Sequence, residues 1–184
     1  AAKVRRISPR VAWPVLDAVL RKWDVHNLKT ILLGKFEKKA RAEIEPFLVR
    51  CGSIPESRLR RLLDQDTMGR VLELMAETEY VPGLEKARKG FEKTQDLSGL
   101  LEALDLHYYR RLAEEVRGAY QDEKTIQRLV EAEVDAKNVL NALRLRREGD
   151  DRQYLETLFI EGGGLSREEM QRLLKASTFE ALQE

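Results

Sequence analysis

The sequence predicts an all-α protein built from an internally repeated helical unit, with about one and a half units present. Three observations lead there. Charged residues make up 35 % of the 184 positions and balance to a net +1, while Gly (11) and Pro (5) are sparse and β-branched runs are absent; such a composition favours solvated helices. Apolar residues recur at the helical period of 3.6 rather than alternating. Two of these apolar stripes are interrupted in the same way by an Asp and an Asn, at a constant offset of 111 along the chain, since 135 less 24 and 138 less 27 both give it.

The second interruption lies in EAEVDAKNVLNALRLRR, Glu131 to Arg147. Its inward face runs Ile126, Val130, Val134, Asn138, Ala142, Leu145, so an amide takes a slot where the pattern wants Leu. Left unpaired it would cost roughly 1–3 kcal/mol; Asn138, with Asp135 on a neighbouring face, is therefore expected to tie this helix to another backbone segment. The first interruption is in WDVHNLKTILLGK, where the stripe Leu16, Leu20, Trp23, Asn27, Ile31 carries Asn27 with Asp24 three residues before it. The offset of 111 then pairs Leu32 with Leu143, Arg41 with Arg152, Gly52 with Gly163, Arg61 with Arg172 and Thr67 with Thr178. This register implies a duplication, with 1–134 as a first unit plus leading segment, 135–184 as an incomplete second, and both packing as one body.

In chain order, Ser8 with Pro9 or Pro14 opens a helix expected from Val11 to Gly34, stopped by Gly34 and Lys35. A short charged helix, Phe36 to Ile44, is broken by Pro46, and Phe47 to Gly52 reads as an apolar segment ending in a turn. Ser53 to Glu56 has the pattern of a capping box opening a helix to Leu63, and Asp66 or Thr67 caps another through Glu77. Pro82 and Gly83 mark a turn, followed by helices over Leu84 to Thr94, Leu97 to Tyr120 and Glu123 to Arg147. The short elements then return: Leu155 to Ile160 apolar, Gly162 to Gly164 a turn, Ser166 to Glu169 a capping box, Ser177 or Thr178 a last cap. The repeat stops mid-unit, and the chain starts Ala-Ala, which reads as a fragment.

Candidate sites for chemistry are few. The single Cys51 allows no intramolecular disulfide and, within an apolar segment, reads as a small buried hydrophobe. His26 and His107 lack metal-ligand spacing. Gly162 to Gly164 lacks the Lys-Ser/Thr of a phosphate loop and reads as a turn. Of Glu131, Glu133 and Asp135, only Asp135 has a counterpart in the first copy, which favours a structural role over acid/base or Mg²⁺ chemistry. Tyr108, Tyr109, Trp13 and Trp23 read as core and helix-contact aromatics rather than a stacking platform. Arg58, Arg60 and Arg61 could form the basic face of a helix-turn-helix over Ser53 to Met75, giving the alternative reading of a nucleic-acid-binding regulator; only Arg61 repeats. No apolar run is long enough for a membrane span, which needs roughly 18 residues or more.

The motifs together resemble a known family. Trp23-Asp24-Val25-His26-Asn27-Leu28-Lys29, Glu102-x-x-Leu-Asp105-x-x-Tyr108-Tyr109, Glu133-Val134-Asp135-x-x-Asn138 with Leu143-Arg144, and Phe159-Ile160-x-Gly-Gly163-x-Leu165 are similar to the C subunit of archaeal and bacterial V/A-type ATPases, the counterpart of the d subunit of eukaryotic vacuolar ATPases. The resemblance covers Leu16 to Glu184. It implies three related units around a pseudo-threefold axis, shaped like a funnel, in the full-length protein. It also implies a non-catalytic central-stalk adaptor joining the D- and F-type shaft subunits to the membrane proteolipid ring, on the cytoplasmic face and peripheral, with no cofactor, metal or nucleic acid. Asp24, Asn27, Asp135, Asn138 and Arg144 match the family's recurrent positions, for which an architectural role, fixing each unit to the next, is expected; Gly52 and Gly163 are added to the same structural motif.

Overall fold

The computed structural model describes residues 6–8, 10, 13–78, 80–119, 124–148 and 157–175, and among these there is no strand. The helices are α1 (Trp13–Leu20), α2 (Lys22–Phe36), α3 (Arg41–Ile44) with a 3₁₀ turn (Glu45–Phe47), α4 (Glu56–Leu63), α5 (Met68–Met75), α6 (Val81–Thr94), α7 (Ser98–Ala119), α8 (Lys124–Glu148) and α9 (Arg167–Lys175). The all-α class is thus the observed one. Packing divides the chain into two units, Ala1–Tyr108 and Tyr109–Glu184, at a point within α7. The expected Ser177 or Thr178 cap, and the start of the second apolar segment at Leu155, lie outside the described residues.

The expected helix from Val11 to Gly34 is interrupted. A turn at Arg21 separates α1 from α2, so a 3.6-residue stripe cannot be carried through it. Leu16, Leu20 and Trp23 are accordingly half-buried, while Val15 and Ala18 face the core of α1. Nor does Gly34 stop α2. Two residues beyond the helix, Lys38 takes φ 57, Lys39 N–H donates to Gly34 O at 2.8 Å and Lys38 N–H to Lys35 O at 3.1 Å, the paired bonds of a Schellman end. Gly34 serves packing instead: a Cβ there would stand 2.5 Å from Ile44 Cγ1, and Ile44 is buried on α3. The charged helix expected from Phe36 to Ile44 shrinks to α3 because this left-handed end intervenes.

Two further start signals act differently from their sequence patterns. Pro82 and Gly83 lie in the first turn of α6, where Pro is tolerated because its missing N–H has no helical partner. The Ser53 to Glu56 capping box does not form, since Pro55 holds the N-cap of α4 with no side-chain cap and the Ser53 hydroxyl is engaged elsewhere. At an offset of 111, Pro55 corresponds to Ser166, so the two boxes were never equivalent. The box does form at Ser166: its N–H and Oγ donate to Glu169 Oε2 at 2.7 and 2.8 Å, and Glu169 N–H returns to Ser166 Oγ at 3.3 Å. Thr67 caps α5, accepting from Arg70 N–H.

In the first unit the core gathers Leu28, Ile31, Leu32, Leu62, Leu63, Val71, Met75, Leu100 and Leu104, each fully buried and contributing about 1.5–3 kcal/mol. Lys35 Nζ donates to Leu63 O at 2.6 Å, satisfying a carbonyl at the end of α4. Lys29 reaches Asp105 on α7, its Nζ 3.0 Å from both carboxylate oxygens. In the second unit Leu112, Val116, Val130, Val134, Leu145, Ile160 and Met170 are buried.

Two outcomes follow from these ends and packings. Gly34→Ala gains about 1 kcal/mol of helix propensity but overpacks Ile44 at about 1–3 kcal/mol. The variant should therefore unfold at lower urea, and Ile44→Val added to it should recover part of the loss. Hydrogen bonds from the Ser166 backbone N–H, then its hydroxyl, hold the Glu169 carboxyl below its ordinary range. A carboxyl depressed on folding stabilises above its unfolded value and loses that contribution as pH falls through the folded one. Helicity measured from pH 7 down through about 4 should fall less steeply in Ser166→Ala, which starts from a lower melting temperature at pH 7.

Candidate functional site

Asp24 and Asn27 lie one turn apart on α2, so both project toward the same loop. A loop leaving a helix carries backbone N–H and C=O groups with no ladder to join, and buried ones must be paired. The side-chain amide supplies both a donor and an acceptor. Asn27 Nδ2 donates to Val49 O at 2.8 Å while its Oδ1 accepts Val49 N–H at 2.8 Å. Asp24 grips the other end: Oδ2 accepts Ser53 N–H at 2.8 Å and Ser53 Oγ at 2.7 Å, and Oδ1 accepts Ile54 N–H at 2.9 Å. Both side chains are buried.

The same bonds recur at the offset of 111. Asn138 Nδ2 donates to Ile160 O and Oδ1 accepts Ile160 N–H, both at 2.9 Å. Asp135 accepts Gly164 N–H and Leu165 N–H, both at 3.0 Å. Each loop passes its carboxylate at a glycine. A Cβ on Gly52 would lie 1.9 Å from Asp24 Oδ1, and one on Gly163 2.0 Å from Asp135 Oδ1, so only hydrogen lets the backbone come this close. Asn141, not singled out from the sequence, adds a third anchor in the second copy, donating to Leu158 O at 3.2 Å from a buried position. Its signal was a polar residue three beyond Asn138, where the first copy has Thr30. Arg144 is half-buried on α8, and its first-copy counterpart is Leu33.

The other candidates fall into plain structural settings. The donors of the Gly162 to Gly164 turn at Gly164 and Leu165 are taken by Asp135, and Gly162 alone needs positive φ, 107. Exposed His26 sits by Phe47 O at 3.1 Å and against Trp23, edge to face with centroids 5.8 Å apart. His107 packs on Tyr80 at 5.4 Å. Cys51 is half-buried at the turn, more open than its apolar neighbours suggested. Glu131 is exposed and Glu133 half-buried, and no group of His, Cys, Asp or Glu among the described residues could hold a metal ion. Tyr108 is buried; Tyr109, Trp13 and Trp23 are half-buried. Arg60 pairs with Glu56 at 2.6 Å, Arg58 donates to Glu77 O at 3.0 Å, and Arg61 lies 3.8 Å from the Glu77 carboxylate. Carboxylates thus offset the basic face of α4, whose cations a phosphate backbone would need. Among the described residues no helix is long and apolar enough to cross a membrane.

The site is thus a pair of loop clamps, set in a chain that is similar to known proteins. The model of the ATP synthase (C/AC39) subunit family matches residues 1–184. This chain belongs to that family. Its relatives include proteins named as the C subunit of A-type ATP synthase: one from Halorubrum lacusprofundi, 40 % identical over 79 % of this chain and 41 % of the relative; one from Haloferax volcanii, 34 % identical over 84 % and 44 %; and one from Methanosarcina mazei, 32 % identical over 88 % and 44 %. The chain spans less than half the length of these relatives. In this member of the C/AC39 family, Lys29 and Asp105, one from each of two motifs carrying the family resemblance, form an ion pair within the first unit.

Removing a clamp strands both backbone groups it served. Asn138→Ala leaves the Ile160 N–H and C=O buried and unpaired and should cost about 2–4 kcal/mol, read as the urea midpoint. Gly52→Ala and Gly163→Ala should each be strongly destabilising, while Gly99→Ala, where a Cβ meets nothing within 4 Å, should be neutral or slightly stabilising.

Proposed function

We propose that this chain is part of a non-catalytic adaptor in the central stalk of an A-type ATP synthase, joining the D- and F-type shaft subunits to the membrane proteolipid ring and transmitting torque between them. The reading is supported by the family match over residues 1–184 and by relatives named as the C subunit of A-type ATP synthase. The observation that carries it at the residue level is the duplicated clamp. Asp24, Asn27, Asp135 and Asn138 all spend their polar atoms on holding loops to helices, which suits a part that must pass on torque without yielding. Asp24, Asn27, Gly52, Asp135, Asn138, Arg144 and Gly163 are assigned an architectural role, and the clamps among them act within their own unit, holding each loop to its helix. Contact with the membrane runs through partners, and the adaptor lies peripherally on the cytoplasmic side.

Coupling is the property to measure. An ATPase assembled without the full-length protein should keep ATP hydrolysis in its soluble head and lose hydrolysis-driven ion transport, with transport restored on adding the protein back. Ion transport that persists without it refutes the adaptor role. The full-length protein should also remain on washed membranes and leave them without detergent.

A further inference from the structure

The outward face of α6 departs from helix preference twice. Lys86, Lys89, Gly90 and Lys93 are spaced by three, one and three residues, which puts them on one face over about 10 Å of helix, and all four are exposed. Leu84 and Phe91, on the opposite side, are buried. Lysines three and four residues apart repel along a helix, and glycine inside a helix costs backbone entropy that alanine does not. Gly90 is well inside α6, four residues from its end at Thr94, whereas Gly69 and Gly99 lie in the first turns of α5 and α7.

Neither departure is answered within the chain. Among the described residues no ion pair engages Lys86, Lys89 or Lys93, while Arg88 on the same helix takes Glu92 at 2.9 Å; exposed Glu85 stands beside them and leaves the face net positive. A Cβ on Gly90 would meet nothing within 4 Å, unlike one on Gly34 or Gly52, so no neighbour requires this glycine. Local preferences broken without internal compensation mark a surface used for something else. We infer that the Lys86–Lys89–Gly90–Lys93 face of α6 docks an acidic helix of a partner protein, an inference that rests on the adaptor reading above. Carboxylates at the same three- and four-residue spacing on a partner helix would each find an ammonium group, and the missing side chain at Gly90 lets that helix lie close between them. A lipid headgroup layer adapts to any outline and gains nothing from a missing Cβ, which favours a protein.

The test is rebinding of the full-length protein to membranes that carry the ATPase stripped of it. Lys86→Gln/Lys89→Gln/Lys93→Gln should rebind about tenfold more weakly and with less dependence on salt. Gly90→Leu should melt no lower than wild type, because its side chain enters open space, yet rebind more weakly. Arg70→Gln, which removes an exposed cation on α5, should rebind as wild type. In the assembled enzyme a carbodiimide, which joins an amine directly to a carboxylate, should link Lys86, Lys89 or Lys93 to Asp or Glu of another subunit. Unchanged rebinding of the triple variant or of Gly90→Leu overturns the inference, as does an equal loss with Arg70→Gln. Cross-links confined to carboxylates of the same chain overturn it too. So does binding of the wild type, but not of the triple variant, to protein-free phosphatidylglycerol vesicles, which would assign the face to lipid. A wild-type protein that does not rebind at all refutes the adaptor reading, and this face's role falls with it.

Discussion

The pairing of a side-chain amide with both polar groups of a single distant residue is what the rest of this chain depends on. Asn27 with Val49, and Asn138 with Ile160, turn a helix side chain into a substitute for a neighbouring strand. The loop thereby gains a partner for an N–H and a C=O that would otherwise be desolvated without compensation. Asp24 and Asp135 hold the far ends of the same loops by accepting successive N–H groups. With both ends fixed to one helical turn, the loop has little freedom left, and α4 and α9 start from a defined place.

Around this fixed frame the two copies have diverged where the clamp is indifferent. Ser53 contributes a hydroxyl to Asp24, while its counterpart Gly164 contributes only an N–H. Pro55 starts α4 by conformational restriction, whereas Ser166 starts α9 by hydrogen bonding. Lys29 makes an ion pair and Leu140 presents a bare apolar surface. What is common is backbone pairing and the close approach of Gly52 and Gly163; what differs is the side chains around them. The exposed ion pairs of α4 belong to that adjustable layer. Such pairs are worth about 0–1 kcal/mol each, so Arg58, Arg60 and Arg61 decide little about the fold.

Much of this was legible beforehand. The helical period and the composition determine the all-α class, and the constant offset of 111 locates Asp24, Asn27, Gly52 and their counterparts, because a duplication leaves the same residue types at the same spacing. The long helices α6 to α8 were readable for the same reason: many turns of consistent periodicity outweigh any single residue. The short elements were not, because a cap or a stop rests on one or two residues whose groups can be claimed by a tertiary partner. Asp24 claims Ser53, Ile44 needs the space at Gly34, and a turn at Arg21 shifts the phase of α1.

By itself, then, the sequence determined the class, the repeat and the identity of the polar residues set into apolar stripes, all of which are written in local spacing. Only the tertiary structure decided what those residues hold. Val49 and Ile160 are apolar residues whose backbone, not side chain, answers Asn27 and Asn138, and a backbone group leaves no mark in a sequence.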